Sequence, residues 1–223
     1  LGINWDLFTT THTQNHFDVT QDIFLRLHEK GFIYKDIMSQ PFCQEHNRFL
    51  ADRYVEGICP NCNSNGARGD QCDGCGNTLD PKDLIDIKHK DCESTPVFRD
   101  TEHFFLKLST FEKDLIEWMR ENSHWKPNVK NFTLGFLEGG LIDRAITRDI
   151  TWGIPIPIDG YEDKRIYVWF EAVIGYLSAS IEWASKTDNP DQWKDYWKKD
   201  SKPYYFMGKD NIPFHTVIWP AML

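Results

Sequence analysis

Two short cysteine turns constrain this chain more than anything else in it. Cys59-Pro-Asn-Cys62 and Cys72-Asp-Gly-Cys75 stand nine residues apart. Two residues between thiolates let both sulfurs face one ion, and two such turns close a tetrahedron with no open position. Gly74 and Gly76 let the second turn curl so that backbone N–H groups can point at sulfur. Redox pairs or buried free thiols are the alternative, and two such turns this close together weigh against them. A second set surrounds the first: Cys43-Gln-Glu-His46 before it and His89-Lys-Asp-Cys92 after it. Together these supply two Cys and two His, a common structural zinc set. The spacing pairs outer turns with outer and inner with inner, so the expectation is two zinc ions, nested. The plainer reading leaves His46 and His89 as surface histidines. Neither closed shell has room for a water, so both metals are expected to be structural.

All six cysteines fall in these turns. That is metal usage rather than a disulfide framework, and it points to a reducing, cytoplasmic setting. The composition is that of an ordinary globular chain of 223 residues, 40% hydrophobic and 26% charged. The net charge of -9 argues against a broad basic nucleic-acid surface. Aromatics reach 14%, with nine Trp, enough to build both a core and a pocket for an apolar ligand. No basic-then-apolar leader and no long apolar run is seen, so no membrane partner is expected. Leu1 and the closing Trp219-Pro-Ala-Met-Leu223 fall inside structured-looking patterns, so a longer parent protein is expected.

Along the chain, Val19, Ile23 and Leu27 repeat at four and give a helix over 17–30, with Gly31 as its stop. Residues from about 40 to 95 are rich in Cys, Gly, Asn and Asp. Such a stretch cannot build a large core and needs metal to hold it. A short strand is expected around Phe104–Leu108, helices over 111–122 and 131–138, and an extended proline-rich run from Trp152. An α/β rhythm then follows. Arg165–Phe170 reads as a strand, 171–185 as a helix and 186–202 as a polar loop. Tyr204–Met207 reads as a strand and 211 onward as a helix, with Asp210 as N-cap and Pro213 in the first turn. Strand, tight turn and helix together suggest a parallel α/β sheet with ligands at the carboxyl ends of its strands.

Five segments converge on one family: Phe49-Leu-Ala-Asp-Arg-Tyr-Val-Glu-Gly-Ile-Cys-Pro60, Ala67-Arg-Gly-Asp-Gln-Cys72, Ala145-Ile-Thr-Arg-Asp149, Tyr167-Val-Trp-Phe-Glu-Ala-Val-Ile-Gly-Tyr176 and Gly208-Lys-Asp-Asn-Ile-Pro-Phe-His215. Together they resemble methionyl-tRNA synthetase, a class I aminoacyl-tRNA synthetase, and the likeness runs through essentially the whole chain.

The resemblance implies an α/β fold, a class I Rossmann-type parallel sheet with an inserted zinc-knuckle α+β connective-peptide domain. It divides the chain into 1–38, the end of the first Rossmann half; 39–165, the inserted domain, with knuckles at about 40–95; and 166–223, the start of the second half. It implies ATP-dependent ligation of methionine to its tRNA through methionyl-adenylate, with Mg²⁺ accompanying ATP. The family's HIGH-type and KMSKS-type loops are not in the sequence, so this piece alone is not expected to adenylate. By motif position, Trp169, Ala172, Tyr176, Ile212, Phe214, His215 and Trp219 fall on the methionine pocket. Gly208, Asp210 and Arg148 fall on the nucleotide or the tRNA end. From periodicity alone these residues read as core, cap and surface charge. One departure stands out. The family's pocket motif usually reads Asp-Ala-Pro, and here it is Glu171-Ala172-Val173, which puts the local backbone in question. Two other functions compete: a zinc-ribbon binding module with no enzymatic role, and a class I synthetase for an aliphatic amino acid. The second needs a larger insertion than the chain has room for.

Overall fold

The computed structural model describes all residues except 1, 3, 78, 123 and 199. Helix α1 (Gln14–Glu29) forms where the repeat of four foretold it. The Thr13 side chain caps it by accepting from His16 N–H at 3.2 Å, and Gly31 ends it at φ 76°. Its buried face, carrying Phe24 and Leu27, packs on a four-stranded antiparallel sheet.

That sheet is the scaffold. Strand β1 (Ile33–Cys43) pairs with β6 (Val97–Leu106) from Ile33↔Leu106 to Phe42↔Val97. The short β2 (Arg48–Phe49) and β7 (Arg144–Ala145) flank them in the order β2-β1-β6-β7. The chain from β7 runs through Ile146 into β8 (Thr147–Arg148), which pairs with β9 (Arg165–Ile166). The main core gathers beneath: Phe24, Phe104, Leu106, Phe170, Ile174 and Trp219 are almost wholly buried. Helices α2 (Glu112–Glu121) and α3 (Pro127–Glu138) pack on each other beside it.

Between β2 and β6 a second, small three-stranded sheet forms from β3 (Val55–Ile58), β4 (Asn65–Arg68) and β5 (Ile85–His89), in the order β4-β3-β5. It has its own cluster of buried residues, and three of those seven are Cys43, Cys59 and Cys72.

Several sequence expectations differ from the structure. Among the described residues every strand pairing is antiparallel. The run Arg165–Phe170 is a strand only through Ile166. Tyr167, whose N–H still donates to the Ile146 carbonyl at 2.8 Å, is then the N-cap of helix α4 (Val168–Glu171). Among the described residues Tyr204–Met207 joins no ladder. Asp210 is no cap either: Gly208 takes that position, and Lys209–Asn211 is a 3₁₀ turn. Pro213 does sit in the first turn, ahead of a π-helical stretch (Phe214–Ile218) and the short α6 (Trp219–Met222).

Candidate metal clusters and ligand cleft

The eight metal-ligating candidates assemble as two clusters of four, Cys59/Cys62/Cys72/Cys75 and Cys43/His46/His89/Cys92, with the ligand atoms of each within 4.8 Å of one another. All four turns share one local design. The first ligand is buried: Cys43, Cys59, Cys72 or His89. The residue after the second ligand takes positive φ: Asn47 49°, Asn63 57°, Gly76 74° and Glu93 56°. In three of the turns that residue's N–H donates to the carbonyl of the first ligand: Asn63 to Cys59 at 3.0 Å, Gly76 to Cys72 at 2.8 Å, Glu93 to His89 at 2.7 Å. The turn closes by pairing the first ligand with the residue five on, as Cys59 N–H to Ser64 O at 3.0 Å and His89 N–H to Ser94 O at 2.9 Å. An Asn or Gly after the second ligand marks three of the four turns in the sequence. That signal could have united them beforehand.

In the inner cluster the sulfurs lie 3.9 Å apart for Cys59–Cys75 and 3.6 Å for Cys62–Cys72. A disulfide would put them at about 2.05 Å. A tetrahedron with zinc–sulfur bonds of ~2.3 Å requires about 3.8 Å, which the two distances bracket. Burial pushes the Cys59 thiol up, but the N–H groups of Cys62 and Asn61 outweigh it and hold the group at about 7. Cys62 goes the other way, to about 12: the Ser64 N–H pulls it down, but burial and the neighbouring thiols prevail. Four thiols this close cannot all ionise without a cation among them. In the outer cluster Cys43 Sγ lies 3.8 Å from Cys92 Sγ and 3.4 Å from His46 Nδ1, and His89 Nδ1 lies 3.0 Å from Cys92 Sγ. The Ser94 hydroxyl reaches Cys92 Sγ at 3.0 Å and Cys43 Sγ at 3.6 Å. Burial raises the Cys43 thiol, yet the His46 N–H and the Ser94 hydroxyl bring it down to about 6. Both donor sets suit zinc, with each His presenting Nδ1.

The second feature is a cleft of about 610 Å³. One wall is the interrupted helix that starts at α4, passes through a 3₁₀ link (Ala172–Ile174) and continues as α5 (Gly175–Ser185). It contributes Trp169, Ala172 and Tyr176. The facing wall is the 208–215 segment, with Gly208, Asp210, Phe214 and His215. Seven of the ten residues assigned from motif position therefore line one cavity. Trp169 and Phe214 meet edge to face at 5.0 Å. Tyr176 Oη lies 2.7 Å from His215 Nε2, and His215 Nδ1 lies 2.9 Å from the Asn211 carbonyl. A carbonyl only accepts, so Nδ1 carries the proton and Nε2 accepts from the Tyr176 hydroxyl. Burial and the nearby Tyr205 push the Tyr176 phenol up, which keeps it a donor. The result is an aromatic slot with the polar Tyr176–His215 pair between its walls, in a cleft that Asp70, Gln71, Asp210 and Asn211 also line. The π-helical stretch is what sets His215 and Phe214 at this angle, and such bulges recur at functional sites.

Three assigned residues do not line the cleft. Ile212 is buried behind it. Trp219 is buried too, and its indole N–H donates to Tyr205 Oη at 3.3 Å; Tyr205 in turn packs on Tyr176 and His215. Arg148 is committed elsewhere. It stacks over Tyr167 at 4.1 Å and donates to the Ala145 and Thr147 carbonyls and to Asp52 Oδ2 at 3.3 Å. Tyr167 Oη donates to the same Asp52 oxygen at 2.9 Å. Sequence reasoning missed Asp52, and also Asp70 and Gln71, which the zinc-turn region sends into the cleft wall. Glu171 turns away from the cavity toward His16 of α1 at 2.8 Å, which accounts for its extra methylene.

The family described as "tRNA synthetases class I (M)" matches residues 1–223. The chain belongs to that family. A methionine–tRNA ligase of Dehalococcoides mccartyi is 61% identical over the whole chain, which spans 40% of that protein. One from Thermoplasma acidophilum is 54% identical, with the chain spanning 41% of it. The chain thus covers about two fifths of the length of these curated relatives. Among solved structures, Mycobacterium tuberculosis methionyl-tRNA synthetase in complex with methionyl-adenylate matches 99% of this chain and 37% of its own, with a TM-score of 0.65 at 23% identity. That likeness establishes the class I synthetase fold even though every ladder among the described residues is antiparallel. No helix among the described residues is long and apolar enough to cross a membrane.

Proposed function

We propose that the protein containing this chain is a methionine–tRNA ligase, and that this chain supplies its amino-acid slot and its metal-braced insert. The observation that carries the reading is the convergence of the Trp169–Tyr176 helix and the 208–215 segment on one cleft. An unbranched thioether is apolar and polarisable and suits the Trp169–Phe214 walls. Between those walls the Tyr176–His215 pair meets a weak sulfur acceptor without demanding a charge.

In the whole protein the methionine carboxylate attacks the α-phosphorus of ATP, giving methionyl-adenylate and pyrophosphate. The methionyl group then passes to the 3′-terminal adenosine of its tRNA. On the nucleotide side Gly208 lets backbone approach a ribose closely, and Asp210 can accept from its hydroxyls. Mg²⁺ accompanies the ATP. Ile212 and Trp219 act from behind, Trp219 through Tyr205. Arg148 reaches a phosphate only by releasing Asp52, so we read it as support for the wall. The two clusters hold one zinc each, as closed structural sites that stiffen the insert; zinc there supplies folding energy and no chemistry. We keep the division at 38 and 165, with the first boundary inside β1, and place the protein in the cytoplasm, where tRNA is charged.

The test is ATP–pyrophosphate exchange by the full-length protein. Exchange that depends on methionine, and is absent with leucine, isoleucine or lysine, is expected. Exchange driven by another amino acid would overturn the substrate. No exchange with any amino acid would favour a zinc-bearing binding module.

A further inference from the structure

The helix that lines the cleft is broken at its most important point. Trp169 lies on α4, Ala172 in the 3₁₀ link and Tyr176 on α5. A 3₁₀ segment inside a helix has poorer hydrogen-bond geometry and behaves as a hinge unless something outside holds it. Here an imidazole from outside spans the link. His16, on the first turn of α1, is 1% exposed. Its Nε2 lies 2.8 Å from Glu171 Oε2, the last residue before the link. Its Nδ1 lies 2.8 Å from Ser178 Oγ, on α5 beyond the link. Both ring nitrogens are thus engaged, one on each side of the break. Two further bonds fix the same junction: Asn15 donates to the Ser178 carbonyl at 2.8 Å, and the Ser178 hydroxyl donates to the Gly175 carbonyl at 3.2 Å. Thr20 Oγ1, one turn along α1, sits 3.4 Å from His16 Nε2.

We propose that His16 is a positioning residue for the amino-acid slot: it staples the interrupted helix across its 3₁₀ link through Glu171 and Ser178, and so fixes the spacing of Trp169, Ala172 and Tyr176. It touches no ligand. A helix that could straighten or bend at 172–174 would change the distance from Trp169 to Tyr176, which sets the length of side chain the slot accepts. The staple also explains why a glutamate serves at 171. The carboxylate must reach back from α4 to a ring on another helix, and it does so without entering the cleft.

The inference rests on the amino-acid reading of the cleft, and the test separates the two. In the full-length protein, Glu171→Gln keeps shape and removes the charge, and His16→Gln keeps one hydrogen-bonding end and loses the other. Two quantities are read: the KM for methionine against that for ATP in pyrophosphate exchange, and hydrogen exchange of backbone amides in 168–178 against those of β1 and β6. Each variant is expected to raise the methionine KM about fivefold with the ATP KM little changed, a scale typical of residues that act through a pocket wall. Amides at the link should exchange about tenfold faster while the sheet is unaffected. The double variant should be no worse than the worse single, since both remove one device. Wild-type values for the methionine KM and the link amides in a folded Glu171→Gln protein would overturn the staple. If the unmodified protein shows no methionine-dependent exchange, the substrate reading fails, and the amide exchange alone decides the staple.

Discussion

Cys59→Ala probes how the insert is held together. Cys59 is fully buried, and it packs in a cluster whose other buried members include only Leu50, Val55, Ala67 and Leu84 as non-cysteine residues. A structural zinc site contributes roughly 10–16 kcal/mol, so the quarter share of one thiolate, about 2.5–4 kcal/mol, is the least that is lost, and the loss grows when the ion leaves with it. The void left by the sulfur adds to this. A loss of about 3 kcal/mol lowers amide protection roughly 150-fold if the hairpin opens as a unit. The main core should not follow, because Phe24, Phe104 and Leu106 belong to a separate cluster. Hydrogen exchange with mass spectrometry is the assay, comparing β3 and β4 with β1 and β6 in the same sample. Metal analysis should fall from one ion per cluster to the outer ion alone. Protection of β3 and β4 within about threefold of the parent would refute the claim that the metal holds this sheet.

Three more outcomes follow from the same geometry. Ser94→Ala removes the hydroxyl shared by Cys43 and Cys92, and should weaken the outer site's zinc affinity by about 10–100-fold in a chelator competition while leaving the inner site unchanged. Gly57→Ala would put a Cβ 2.7 Å from the backbone oxygen of Ile85, so β3 must shift from β5 and thermal stability should fall; an unchanged melting temperature would show the sheet to be looser than its register implies. His103 is wholly buried, with Nδ1 3.0 Å from Thr147 Oγ1, and burial holds it below the usual imidazole range. The unfolded chain therefore binds the proton more readily. His103 contributes stability that is full above pH ~6.5 and declines as pH falls from there toward the lower folded value. The melting temperature should drop between pH 7 and 5, and His103→Gln should flatten that drop.

What the sequence made legible was whatever depends on local spacing. The eight ligands, their nested pairing, helix α1 and the helix over 111–122 all emerge from neighbours a few residues apart. The long β1–β6 ladder was invisible, because its partners are about sixty residues distant and its exposed middle, Lys35 to Ser39, carries no clean alternation. Only its buried end near Phe104 was seen. Arg165–Phe170 misled for a related reason: a short apolar run reads equally as strand or helix, and here the helix takes over from Val168. Helix α3 starts at Pro127, earlier than its apolar repeat suggests, with the proline at the first turn as the overlooked cue. In the cleft, motif position found the residues on the two walls. It could not find Asp70 or His16, which arrive from distant parts of the chain through tertiary packing.

The most direct test of the account is where methionine binds. In crystals of the full-length protein soaked with methionine, the thioether should lie between Trp169 and Phe214 with its sulfur facing Tyr176 and His215. Methionine density elsewhere in the molecule, with this cleft empty, would contradict it.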